Sequence, residues 1–400
     1  MTRTLVVVGH GMVGHRLVER LGVLDGGRRW RVVVLAEEHH PAYDRVSLSS
    51  YLDGKSRSDL TLPGVDFRND PRMDLLLGCP AVAVDRAARA VSTGRGDRIG
   101  YDALVLATGS RPFVPPVPGH DLPGCFVYRT FDDLDALRAA ARPGRAGVVV
   151  GGGLLGLEAA NALRLLGMRP HVVETAPHLM PAQLDPGAAG VLHRHVTGLG
   201  LRVHCATATT SIDAGADGTV ASVTLSDGTV LDAALVVFAA GVRPRDELAE
   251  AMGLERGGRG GILVDGLCRT GDERVWAVGD CAAVRGRCYG LAAPGYRMAD
   301  SVARQLTGEH PEPFDDAGTA TTLKLLGVRV AAFGATGTDG GAVVEVVFAE
   351  GADRYAKVLL SPDGGHLLGG ILAGDTGSCA AVRSFVGRPP PADLEQLLLP

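Results

Sequence analysis

One pattern occurs twice in this chain, and it restricts the fold more than anything else. Residues 4–8 (TLVVV) and 146–150 (AGVVV) are short apolar runs of the kind found in buried parallel strands. Each leads into a G-x-G-x-x-G turn: Gly9, Gly11 and Gly14 in GHGMVG, then Gly151, Gly153 and Gly156 in GGGLLG. Helical periodicity follows, to about residue 22 in the first copy and over 156–167 in the second. A further apolar run then ends in acid, 30–36 before Glu37 and Glu38, and 170–174 with Glu174 at its end. These are two βαβ units about 140 residues apart.

The chemistry of such a unit follows from its parts. The first glycine permits the tight turn. The second lets backbone approach a diphosphate, and the third lets the helix pack closely on the strand. The helix N-terminus offers free N–H groups and positive dipole to the phosphates. An acid at the end of the second strand suits the hydroxyls of an adenosine ribose. Glu37 stands 28 residues after Gly9, and Glu174 stands 23 after Gly151. Two complete copies predict two dinucleotides, which points to FAD together with a nicotinamide dinucleotide.

Three other segments order the pair. Ala107-Thr108-Gly109 ends the apolar stretch 101–112 and would return the chain past the first turn. In VGDCA (278–282) Asp280 follows Gly279 at a strand end, where a carboxylate can accept hydrogen bonds from ribitol hydroxyls. The helix near Pro294, Gly295 and Tyr296 can aim its N-terminus at a reduced flavin and stabilise its negative charge. FAD is therefore expected on the first cradle and NADH on the second.

Bulk properties fit this reading. Four hundred residues exceed one hydrophobic core, so two or three domains are expected. A net charge of −5 and an aromatic content of 4% leave no basic footprint or stacking platform for nucleic acid. No apolar run approaches the roughly 20 residues of a membrane span, and the N-terminus shows no secretory pattern, so a cytoplasmic protein without membrane contact is expected. The seven cysteines, at 79, 125, 205, 268, 281, 288 and 379, form no CxxC and no CxxxxC. Metal ligation and a redox-active disulfide beside the flavin are not expected, although Cys281 and Cys288 lie close in sequence. Five prolines in 112–124 mark a domain edge. After about residue 312, alternating apolar and polar residues with frequent glycine predict a small β-rich domain.

The ordered set of G-x-G-x-x-G, ATG, a second G-x-G-x-x-G-L-E and GD resembles the flavoprotein reductases with two dinucleotide-binding domains. More narrowly, PAYDRVSLSSYL, ATGSRPFVPP, VYRTFDDL, GGGLLGLEAA, GVRPRDELA and LAAPGYRMA resemble the FAD/NAD-binding module of assimilatory NAD(P)H-nitrite reductase large subunits, and LKLLGV and AGDT continue the likeness. The resemblance implies an α/β fold of two Rossmann-like dinucleotide-binding domains plus a small C-terminal α+β domain. The FAD domain (1–118 and 241–312) would be interrupted by the NAD(P)H domain (119–240), with a C-terminal interface domain (313–400).

The resemblance also assigns residues. Gly9, Gly11, Met12, Val13 and Gly14, with Glu37 or Glu38, would hold the AMP half of FAD, and Arg45 would face adenine or phosphate. Ser49, Val82, Ala107, Thr108, Gly109, Gly279, Asp280, Pro294, Gly295 and Tyr296 would complete that site. Gly151, Gly153, Leu154, Leu155, Gly156, Glu174 and Gly241 would hold NAD(P)H. Glu158, next on the second helix, would lie near the nicotinamide carboxamide and is the one catalytic candidate.

Two departures qualify the likeness. Related ferredoxin and rubredoxin reductases often carry a lysine where Ser50 stands, and Lys324 could supply a charge instead. Nitrite reductase large subunits also continue into iron–sulfur and sirohaem modules. These 400 residues hold no suitable cysteine cluster, so nitrite reduction with sirohaem by this chain itself is not expected. The activity implied is hydride transfer from NADH to flavin N5. Electrons then pass to a separate acceptor, a reductase subunit, ferredoxin or similar protein. Glu174 and a following loop poor in cations favour NADH, with NADPH possible. A ferredoxin or rubredoxin reductase, or a flavin oxidoreductase acting directly on a small molecule, remains an alternative, as does either a monomer or a homodimer.

Overall fold

The computed structural model describes residues 2–26, 29–67, 69–314, 321–325, 327–336, 343–351 and 353–398. The chain divides into two compact units. One comprises Met1–Arg111 and Val242–Asp316, the other Pro112–Gly241 and Ala317–Pro400. The architecture is α/β, with two Rossmann-like sheets and smaller antiparallel ones.

The first unit is built on a five-stranded parallel sheet. Its strands lie in the order Val275–Ala277, Ala103–Leu106, Arg3–Val8, Trp30–Leu35, Met73–Leu76. Arg3–Val8 is central, and Leu5, Val6 and Val7 are fully buried, as a strand covered on both faces requires. The helix Met12–Asp25 runs beyond the expected residue 22 and ends where Gly26 adopts the left-handed conformation, φ 53°. Beside it lies Ala292–Leu306, joined by the bidentate pair of Arg16 with Asp300 (2.9 and 3.1 Å). A three-stranded antiparallel sheet, Ala81–Asp85, Ala90–Thr93 and Arg98–Gly100, completes the unit's main elements.

The second unit repeats the plan. Its parallel sheet runs Arg202–His204, Arg169–Val173, Ala146–Val150, Leu235–Phe238, Cys125–Val127. The helix after the turn spans Leu154–Leu165 rather than 156–167, because Gly153 is already its N-cap and Gly156 lies inside the first turn. Glu174 stands one residue past its strand. The helix Pro186–Gly198, with Asp185 as N-cap and Pro186 at its first position, is an element the periodicity did not reveal.

The C-terminal part of this unit is a five-stranded antiparallel sheet in the order Thr321–Leu325, Val328–Gly334, Leu367–Gly374, Arg354–Leu360, Val344–Glu350. The helices Cys379–Arg383 and Leu394–Leu398 accompany it. Lys324 pairs with Arg329 in the sheet register; its side chain lies outside the described residues. Among the described residues no helix is long and apolar enough to cross a membrane, and no His/Cys/Asp/Glu group could hold a metal ion.

Candidate functional site

The two glycine turns have the same local geometry. Gly9 and Gly151 both have positive φ, 107° and 119°, which L side chains rarely adopt. A Cβ on Gly14 would overlap the carbonyl oxygen of Gly9, and one on Gly156 would overlap that of Gly151. These glycines let the helix sit directly on its turn. Gly11 and Gly153 behave differently, since a Cβ there would meet nothing within 4 Å. They are the N-caps of the two helices, with φ/ψ of −81°/−173° and −76°/−176°, and no side chain caps either helix. Each turn thus presents uncapped N–H groups to open space beside a side-chain-free residue. That arrangement fits a dinucleotide diphosphate.

Behind each turn stands a second glycine segment. A Cβ on Gly9 would strike the carbonyl of Ala107, and one on Gly151 would strike that of Ala239. The chain runs Ala107-Thr108-Gly109-Ser110-Arg111-Pro112 in one case and Ala239-Ala240-Gly241-Val242-Arg243-Pro244 in the other. This A-x-G-x-R-P repeat is a second internal echo that the sequence reading did not use. Gly109 and Gly241 both have positive φ, 71° and 107°.

Around the first turn, Glu37 and Glu38 both stand at the end of Trp30–Leu35 with partners of their own. Glu38 accepts from the Tyr43 hydroxyl at 2.8 Å and from Arg45 at 2.5 Å. The Arg45 guanidinium lies over the Tyr43 ring, 4.8 Å from its centre. Glu37, with 54% of its side chain exposed, pairs with Arg245, a residue the sequence reading passed over. Thr108 donates its hydroxyl to the Arg245 carbonyl at 2.6 Å. Val13 packs against both Gly279 and Gly295; a Cβ on Gly295 would come within 2.5 Å of a Val13 methyl. Ser110, also unforeseen, donates to Asp280 at 2.7 Å. Pro294, Gly295 and Tyr296 lie in the first turns of Ala292–Leu306. Met12 opens the first helix, Ser49 opens the short helix Ser49–Leu52, and Val82 is exposed on Ala81–Asp85.

His10, the variable residue of the first turn, is buried and wired. The Ala42 N–H donates to its Nδ1 at 3.2 Å, so the ring proton resides on Nε2. That nitrogen faces His15 Nδ1 at 3.4 Å, and His15 Nε2 faces the Pro63 carbonyl at 2.9 Å. Burial, with the neighbouring His15, lowers the His10 pKa to about 3.

Around the second turn, Glu174 accepts the Gly152 N–H at 2.7 Å and the Ala176 N–H at 2.8 Å. Leu154 and Leu155 occupy the first turn of the helix, and Glu158 follows, half-buried. Its charge bears on Tyr128, which is 1% exposed and whose hydroxyl has no hydrogen-bond partner. Burial and the Glu158 carboxylate both push the Tyr128 pKa up. An orphaned donor in this position fits a ligand group still to arrive.

All seven cysteines are free thiols. Cys281 is fully buried against the Leu106 and Val278 carbonyls (3.4 and 3.3 Å), and burial raises its pKa. Cys288 is pushed up to about 11 by burial and the nearby Cys281. Neither has the low-pKa environment of a reactive thiolate.

Comparison with known proteins places this geometry. The family described as pyridine nucleotide-disulphide oxidoreductase matches residues 3–303. The chain is 48% identical over 400 residues to the nitrite reductase [NAD(P)H] large subunit of Klebsiella oxytoca, covering 99% of this chain and 41% of that protein. It is 35% identical to the assimilatory nitrate reductase electron transfer subunit of Bacillus subtilis, covering 93% of this chain and 48% of that one. It therefore spans less than half the length of either relative. Among solved structures, a ferredoxin reductase from Rhodopseudomonas palustris superposes with a TM-score of 0.83 at 30% identity, over 93% of this chain and 91% of that one.

Proposed function

The chain belongs to the pyridine nucleotide-disulphide oxidoreductase family, and from that premise we propose that it is an FAD-dependent NADH oxidoreductase that hands electrons to a separate redox partner. The observation that carries this reading is the pair of matching turns, each open at its middle glycine, Gly11 and Gly153. FAD is assigned to the first and NADH to the second. The proposed domains are 1–118 with 241–312 for FAD, 119–240 for NADH, and 313–400 as an interface domain.

When bound, the flavin supplies a two-electron acceptor that takes hydride from the nicotinamide and can release electrons onward. The chain's own residues bind and align. The N-termini of Met12–Asp25 and Leu154–Leu165 receive the two diphosphates. Asp280, steered by Ser110, accepts from ribitol hydroxyls, and Glu174 accepts from the adenosine ribose. Glu158, with Tyr128 beside it, orients the nicotinamide carboxamide. No general acid or base is required for hydride transfer, only alignment.

The proposed acceptor is a protein. The relative named as an electron transfer subunit and the relative named as a ferredoxin reductase both support this. Seven free thiols support a reducing, cytoplasmic setting. The test is anaerobic. NADH should bleach the flavin of the purified protein, and the yellow colour should return with an added protein acceptor, a ferredoxin or a partner reductase subunit. Bleaching by a small organic substrate instead of NADH would overturn the reading.

A further inference from the structure

Lys357, on the strand Arg354–Leu360, is only 6% exposed. A buried ammonium is costly unless paired. Here it meets Asp185 at 3.1 Å and Glu345 at 3.5 Å. Tyr355 lies two residues earlier, hence on the same face of the strand. It donates its hydroxyl to the same Asp185 oxygen at 2.6 Å. Its ring covers Gly187, where a Cβ would come within 2.5 Å of the ring carbon bearing the hydroxyl. The other Asp185 oxygen accepts the Ala188 N–H at 3.0 Å and caps the helix Pro186–Gly198. Burial alone would raise the Asp185 pKa, but the bonds from Tyr355, Ala188 and Lys357 outweigh it and hold the carboxylate charged.

Asp185 is also the end of the loop that leaves Glu174. Within that loop the Gln183 and Leu184 N–H groups close on the Met180 carbonyl (3.0 and 2.9 Å). Met180 is buried in the left-handed conformation, φ 52°, and its N–H donates to the Gly152 carbonyl at 3.0 Å. Leu179 lies against Gly152, where a Cβ would come within 2.9 Å of it. At the other end, the Ala176 N–H holds Glu174. Hydrogen bonds and short covalent steps therefore connect Lys357 to the second glycine turn. A purely apolar contact would have joined sheet and helix without desolvating two ionic groups, Lys357 and Asp185. What the ionic version adds is a fixed place for Asp185.

We propose that Tyr355 and Lys357 are positioning residues for the nicotinamide dinucleotide: they fix Asp185, and through the loop 175–184 they set Gly152 and Glu174 to receive it. This rests on the assignment of the second cradle to NADH.

The test titrates NAD+ and ADP-ribose, neither of which reduces the flavin, into the FAD-loaded 400-residue protein by calorimetry, comparing wild type with Tyr355→Phe and Lys357→Met. Both ligands should bind about tenfold more weakly to each variant. KM for NADH should rise while the rate at saturation and the flavin content stay unchanged. Tyr355→Phe keeps the ring over Gly187 and removes only the hydroxyl, so it remains informative if Lys357→Met fails to fold. Equal affinity in wild type and Tyr355→Phe, with or without a change in melting temperature, would overturn the inference while leaving the NADH assignment intact. A wild type that binds neither ligand would overturn both.

Discussion

Glu174 accepts the backbone N–H of Gly152 at 2.7 Å, so the acid expected to read the ribose is anchored to the turn expected to hold the diphosphate. With Ala176 and the Thr175 hydroxyl also bonded to it (2.8 and 3.2 Å), the carboxylate keeps room for about one more donor. A ribose hydroxyl fits there, and a 2′-phosphate is repelled. Flavin reduction by NADH should exceed that by NADPH by at least about tenfold in stopped-flow measurements, and Glu174→Gln should narrow the gap. Equal rates in the wild type would refute this role.

The two cradles should fail separately. Gly14→Ala forces a methyl against the Gly9 carbonyl, and Gly156→Ala does the same to Gly151. Each overpacking costs roughly 1–3 kcal/mol locally. Gly14→Ala should be purified largely without flavin. Gly156→Ala should remain yellow but lose its response to NADH. Absorbance at the flavin band and calorimetry with ADP-ribose distinguish the two, and a reversed pattern would exchange the assignments.

Tyr128→Phe should produce opposite effects on stability and binding. It removes a buried hydroxyl without a partner, so the ligand-free protein should gain about 1 kcal/mol. If that hydroxyl meets the ligand, NAD+ should bind several-fold more weakly while ADP-ribose, which lacks the nicotinamide, is unaffected. Urea unfolding and the two titrations together decide it.

His10 predicts acid lability. Its folded pKa is lowered to about 3, and that of buried His171 to about 4, in each case chiefly by burial. The unfolded chain takes up these protons near pH 6.5, so it binds more protons than the folded chain below that value. Stability is then full above pH 6.5 and falls with pH until the folded groups titrate, near 3 for His10 and 4 for His171. By pH 5 His10 should withdraw up to roughly 2 kcal/mol, and the less deeply buried His171 less. Denaturant melts at pH 7.5 and 5 should show the loss, and His10→Asn should reduce it. An unchanged loss in that variant would exclude His10 as a source.

The cradles were legible because everything they need is local: six residues of turn, a strand before and a helix after. Their partners were not. Ser110 reaches Asp280 across 170 positions, and Tyr355 reaches Asp185 across the same separation. No periodicity signals such a pair. The A-x-G-x-R-P repeat is present in the sequence, but a string so short carries weight only when each copy lies behind its own turn. The helix Pro186–Gly198 did announce itself through an Asp-Pro start, yet its glycines and histidines blurred the apolar stripe.

The parallel sheet of the first unit takes one strand, Val275–Ala277, from beyond the inserted segment Pro112–Gly241 and pairs it with Ala103–Leu106. During synthesis the ribosome releases these strands far apart in time. Until the later one emerges, the edge of Ala103–Leu106 is unpaired and Ser110 has no Asp280 to meet. The inserted Rossmann sheet, by contrast, is released entire in the interval. The first unit's parallel sheet can therefore be completed only after the whole of the inserted sheet has left the ribosome.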